Sequence, residues 1–132
     1  MRITADTNVL LRGAVLDDPR QVLLAAKTLR EAEAVAVSIS ALCEFVWVMR
    51  TGYKRLPGEI ARSIRSLINS ANVVTDRTAV EAGLKLLEAG GDFADGVIAH
   101  DGAWLGAEEF VSFDKRAVTL LKSQGARTRL LA

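Results

Sequence analysis

The sequence predicts an α/β fold with a mainly parallel sheet, and three observations lead there. Short runs rich in β-branched residues recur along the chain: RITA at 2–5, AVAVS at 34–38, NVVT at 72–75 and EFVSF at 109–113. Helical patterns of apolar residues fill the intervals between them. Strand-to-strand connections long enough to hold a helix suit parallel pairing, which needs a crossover of a dozen residues or more. A length of 132 residues suits one domain spanning 1–132, with room for a single sizeable core.

The elements follow in order. RITA runs straight into Asp6 and reads as the first strand. Asp18-Pro19 is a helix start, with aspartate as N-cap and proline at the first helical position. The helix that follows, 19–33, places Val22, Leu23, Ala26 and Leu29 at helical spacing. AVAVS is a buried strand, after which Ser38 or Ser40 caps a helix that runs to Arg50 and ends at Gly52. LPGEIARSIRSLINS, 56–70, puts Ile60, Ile64, Leu67 and Ile68 on one face and Arg62, Arg65 and Ser66 largely on the other. NVVT is a further strand, and 78–89 is helical until Gly90-Gly91 breaks it. The next helix, 94–105, carries Val97, Ile98, Trp104 and Leu105 and reads as buried. EFVSF ends at Asp114 and is followed by a helix over 115–124, with a last edge strand at 127–131.

Half the residues are hydrophobic and a quarter are charged, which excludes a disordered chain. A net charge of +1 excludes a strongly basic nucleic-acid coat protein but leaves room for a nuclease with local basic patches. Cys43 is the only cysteine, so neither an internal disulfide nor a thiolate cluster is available. No apolar run has the length of a signal peptide or a membrane span, and a soluble, cytoplasmic protein with no membrane partner is expected.

Four carboxylates sit awkwardly. Asp6 and Asp114 each end a strand, at the sheet edge where α/β proteins build ligand sites, although either could cap the next helix. Glu44 is the one acid in ALCEFVWVM, 41–49, a helix expected to be buried, where a lone carboxylate needs an arginine or a metal beside it. Asp95 lies in the first turn of the helix opened by GGDFADGVIAHD; capping explains one acid there, Asp92 or Asp95, but not readily both. Asp101 falls on the opposite side of that helix and reads as structural. If the four acids converge, divalent cations must offset their repulsion, and an all-oxygen donor set suits Mg²⁺ or Mn²⁺. Such clusters serve phosphodiester hydrolysis.

On these residues the chain resembles the PIN-domain ribonucleases. DTN at 6–8 after the first strand, Glu44 in an apolar helix, DFADxxIA at 92–99 and SFDK at 112–115 follow one another at fitting separations. Its short length and the helical pair after Glu44 make it look like a VapC-type toxin of a bacterial toxin–antitoxin pair. The resemblance implies a three-layer α/β/α domain and an endoribonuclease that uses Mg²⁺ or Mn²⁺. By position, Asp6, Glu44, Asp95 and Asp114 correspond to the family's metal-binding acids, with Asn8, Asp92 and Ser112 supporting them. It further implies an RNA substrate, a homodimer, and a small VapB-like antitoxin that places a basic segment near the acids and joins the toxin in hetero-oligomers. Lys115 and Arg116 are placed to meet phosphate or to lie solvated in a helix's first turn. Gly96 departs from the pattern, since a bulkier residue would favour the helix.

Two other classes compete. An aspartate-dependent phosphatase would carry DxDxT after the first strand, but position 8 is Asn. A non-catalytic α/β binding module would have all its acids salt-bridged. His100, the sole histidine, is five residues past Asp95 and off its helix face, so it reads as structural. Trp47 and Trp104 read as core or subunit interface rather than as base-stacking platforms.

Overall fold

The computed structural model describes residues 1–132. Two compact units divide the chain, Met1–Asp76 and Arg77–Ala132. All strand pairing is parallel and helices alternate with strands throughout, as the α/β reading requires.

In the first unit, β1 (Arg2–Thr4), β2 (Ala34–Ala36) and β3 (Val73–Val74) form a sheet in that order, with Ile3 opposite Val35 and Val35 opposite Val73. Val35 is fully buried, as a residue in the middle strand of a covered sheet should be. The helices are α1 (Thr7–Ala14), α2 (Pro19–Glu31), α3 (Ile39–Thr51) and α4 (Pro57–Ile68). Their starts follow local chemistry. Asp18 Oδ1 accepts from Gln21 N at 3.2 Å ahead of Pro19, and Ser38 Oγ accepts from Ala41 N at 3.1 Å. Leu56 has no side-chain acceptor, and Glu59 Oε1 reaches back to Leu56 N at 3.1 Å instead. Gly52 ends α3, its N–H bonded to Val48 O at 2.7 Å. Asn72 then ties the approach to β3 onto the end of α2, its Nδ2 donating to Leu29 O and Ala32 O.

Three expectations need correction here. Helix α1 is not among the elements the sequence predicts; it is eight residues long, and its apolar stripe is only Leu10 and Leu11. On α2 the inward face is Val22, Ala25 and Leu29, while Leu23 and Leu24 face solvent. Helix α3 buries one face only, through Ala41, Leu42, Phe45, Val46 and Met49. Glu44 and Trp47, three residues apart and so on one face, lie on its open side, with Trp47 66% exposed, because at 100° per residue that face is opposite the buried stripe. Helix α4 conforms, with Ile60, Ile64 and Ile68 buried and Arg62 exposed.

The second unit holds α5 (Arg77–Glu88), α6 (Phe93–Trp104), β4 (Phe110–Ser112), α7 (Lys115–Ser123) and β5 (Thr128–Leu130). Strands β4 and β5 pair in parallel across the α7 crossover, with Val111 opposite Arg129. Helix α6 is buried only near its start, at Phe93, Gly96 and Val97; Trp104 is 84% exposed and Leu105 likewise open. The buried-helix expectation therefore holds for its first turns alone, and Trp104 is not core.

Close approach of α5 and α6 depends on glycine. A Cβ at Gly96 would lie 2.5 Å from Ala82 O and 3.0 Å from Gly83 Cα, and one at Gly83 would strike the Phe93 ring. The glycine that weakens the α6 pattern is what lets the helix touch its neighbour. Alanine should gain about 1 kcal/mol of helix propensity there. Overpacking against immobile backbone costs about 1–3 kcal/mol and should win. Gly96→Ala is thus expected to lower the urea midpoint; a variant as stable as wild type would disprove the packing argument.

Candidate functional site: an acidic cluster on helix starts

Three aspartates stand at helix N-caps, Asp6 and Asp114 after strands and Asp92 after the turn between α5 and α6. Asp6 is the N-cap of α1, its Oδ1 accepting from Val9 N at 3.0 Å. Asp92 caps α6, with Oδ1 accepting from Ala94 N at 2.8 Å. Asp114 caps α7, with Oδ1 accepting from Arg116 N and Ala117 N at 3.0 and 3.2 Å. Ser112 Oγ accepts from Asp114 N at 2.9 Å and so orients the junction before that cap. The capping reading is therefore realised at all three. It does not exclude a ligand, because each cap uses Oδ1 and leaves Oδ2 to bind elsewhere.

In the second unit the acids meet. Gly90, at φ +96°, and Gly91, packed against Leu86 and Leu120, turn the chain sharply from α5 into α6. That turn sets Asp92 at the helix start and half-buried Asp95 one turn in. The Asp95 carboxyl is pushed above its usual range, first by burial and then by the negative charges of Asp92 and Asp114. The favourable dipole at the helix N-terminus does not cancel that effect. None of the three has an ion-pair partner. Asp101 is exposed, at the far end of the helix. His100 is half-buried and five residues beyond Asp95.

In the first unit, Asp6 and Glu44 stand on separate elements, the cap of α1 and the open side of α3. The reasoning that Glu44 is buried and must have a compensating charge fails, since its carboxylate is exposed and hydrated. Asn8, in the first turn of α1, is exposed as well. No three His, Cys, Asp or Glu side chains are grouped so as to hold a metal ion. The donors nonetheless suit a hard cation: carboxylate oxygens only, with like charges crowded and no cationic side chain between them.

A family model described as the PIN domain matches residues 3–120. The chain belongs to the PIN-domain family. The match spans both units and covers every acid considered above. Comparison with curated proteins gives no match. PIN domains are typically nucleases, hydrolases acting on RNA or other nucleic acid, and generally employ divalent metals. The parallel α/β construction of this chain agrees with the PIN-like three-layer class. No helix is long and apolar enough to cross a membrane.

The sequence reading missed Arg12. It lies one turn beyond Asn8, and its guanidinium is pinned by Asp17 (Nη1 to Oδ1, 2.5 Å) and Tyr53 (Nη2 to the hydroxyl, 3.2 Å). Tyr53 in turn donates to Asp17 Oδ2 at 3.0 Å. Nothing local in the sequence signals this triad, since Tyr53 is 41 residues from Arg12.

The raised Asp95 pKa carries a pH prediction. The folded protein holds the Asp95 proton more tightly than the unfolded chain, whose value is near 3.8. The associated stability is present below that value and is lost as pH rises through the folded pKa. In metal-free protein Asp95→Asn should therefore raise the melting temperature at neutral pH. The advantage should vanish towards pH 3. An advantage that grows on acidification would contradict the assignment.

Proposed function

We propose that this PIN-domain protein is a Mg²⁺- or Mn²⁺-dependent endoribonuclease. The observation that carries the reading is the cluster Asp92, Asp95 and Asp114, crowded and without a cationic partner, in a chain of the PIN family. Asp6, Glu44, Asp95 and Asp114 act as metal-binding acids, and Asn8, Asp92 and Ser112 support them. A divalent cation, when bound, lowers the pKa of water and neutralises the phosphate. The protein's own part is orientation. Backbone N–H groups fix Oδ1 of Asp6 and Asp114 at the helix caps, so Oδ2 is presented in one direction without loss of rotamer freedom on binding. Ser112 holds the backbone of Asp114 in register. Exposed Lys115 and Arg116, in the first turn after Asp114, are suited to meet the RNA phosphates.

The salt-bridged binding module is disfavoured, because these acids are unpaired. The phosphatase reading gains nothing from the structure, since Asp6 is followed two residues on by Asn8 and not by a second acid.

The resemblance further supports a VapC-type toxin in the cytoplasm of a bacterium, folded as a single domain over 1–132. It would act as a homodimer controlled by a small VapB-like antitoxin, with hetero-oligomers of the two. Exposed Ile98, Trp104 and Leu105 on the second unit supply apolar area of the kind that subunit contacts use.

Two measurements test the proposal together. Saturating Mn²⁺ should raise the wild-type melting temperature, as a ligand bound only by the folded state must. Asp6→Asn and Asp95→Asn should each lower RNA cleavage by at least about 10²-fold while retaining the circular dichroism of the wild type. Undiminished cleavage by either variant would remove its acid from the site.

A further inference from the structure

Trp47 stands on the open side of α3, two-thirds exposed, where the sequence led one to expect a buried ring. Helical spacing sets Glu44 one turn before it and Arg50 one turn after it on adjoining surface, both exposed. Beyond α3 the chain folds back onto the helix end, with Tyr53 N donating to Val48 O at 3.2 Å and Arg55 N to Met49 O at 2.9 Å. The backbone of exposed Lys54 and Arg55 is thereby held against the last turn of α3, the turn that carries Arg50. Lys54 makes the bend with φ 56°, the one positive φ outside glycine. Glycine would take that left-handed position without strain, so a lysine there keeps a cation at the helix end against a steric cost.

Charge selects the occupant. From Phe45 to Arg65 the chain carries five cations against the single acid Glu59, while the whole chain is only +1, so its remainder is net negative. Glu59 Oε1 is itself committed to Leu56 N. A surface of this sign draws a polyanion, whose phosphates release their counterions to it. A second copy meeting it about a two-fold axis would set the surplus positive charge against itself. An acidic polypeptide would use the cations but has no particular use for the indole. A single nucleic-acid strand uses both, since an unpaired base stacks on an aromatic ring while the backbone follows the cations.

We propose that the open side of α3 seats single-stranded RNA, with one unpaired base stacked on Trp47, the phosphates on one side of it met by Arg50, Lys54 and Arg55, and the strand continuing past Glu44. This rests on the ribonuclease reading, and its test separates the two. Trp104→Phe, at an exposed position, leaves Trp47 as the sole indole of the full-length protein. Its fluorescence is followed, without metal, during titration with a 2′-O-methyl hexauridylate and with an abasic oligomer of equal charge. Affinities come from the anisotropy of the same oligomers carrying a dye. The uridylate should quench Trp47 saturably; the abasic oligomer should leave it unquenched and bind about tenfold more weakly, the worth of one stacked base. Trp47→Ala should erase that tenfold difference. Lys54→Gly and Arg55→Gln should each weaken binding and flatten the slope of log K against log salt by about 0.7, one phosphate contact apiece. Lys54→Gly should do so without lowering the melting temperature, which a purely structural lysine would not allow. Absent quenching, equal affinity for the two oligomers, or salt slopes unchanged in both cation variants overturns the RNA seat even where RNA is cut. Trp47 emission that shifts with protein concentration alone, in a dimer that Trp47→Ala dissociates, gives the face to a second copy and overturns it as well. Quenching with the expected slopes in a protein that cuts no RNA sustains the seat and defeats the nuclease reading.

Discussion

Contact between the backbones of α5 and α6 is the constraint on which the acidic cluster depends. Without side chains at Gly83 and Gly96, Phe93 and the first turns of α6 seat directly on α5, burying Phe93, Gly96 and Val97. Gly90 and Gly91 then have no freedom to absorb a shift, since one adopts a left-handed conformation and the other is wedged between Leu86 and Leu120. Asp92 and Asp95 consequently arrive at fixed places. Mutual repulsion of carboxylates would push a mobile loop apart, but an anchored helix start cannot yield. Burial of Asp95 first, and the charges of Asp92 and Asp114 second, push its carboxyl above the usual range.

Capping and ligand binding use different atoms of the same carboxylate, which changes how such residues should be weighed. An aspartate at an N-cap has one oxygen committed to backbone donors and a second that points away from the helix. Asp6, Asp92 and Asp114 all conform. The cap therefore orients the ligating oxygen, and the helix contributes its stability to the geometry of the site. Setting the two roles against each other in the sequence was a false choice.

Legibility followed the range of the forces involved. Parallel pairing, the Asp18-Pro19 helix start and the Gly52 stop were readable, because turn and cap chemistry acts within four residues. Helix α1 was not, being too short for periodicity to stand out from noise. The burial of α3 was misjudged for a related reason. An apolar sequence shows that a helix can be buried all round, but whether it is depends on how many neighbours cover it, and in this case Glu44 and Trp47 stay open. Among site residues, the sequence named the acids, yet not which of them repel each other. Arg12 was invisible because its partner Tyr53 comes from beyond α3.

The two units also differ in how their acids bear on stability. Asp6 and Glu44 are exposed and keep their hydration, so holding them in place costs the fold little. Half-buried Asp95, with two like charges nearby, has lost part of its water without gaining a partner. Under the proposed function a cation would recover most free energy where desolvation and repulsion are already present, which is at Asp95 and not at the better-solvated Asp6 or Glu44. A site built this way is least comfortable when empty, the usual cost of arranging groups for a function before the ligand arrives.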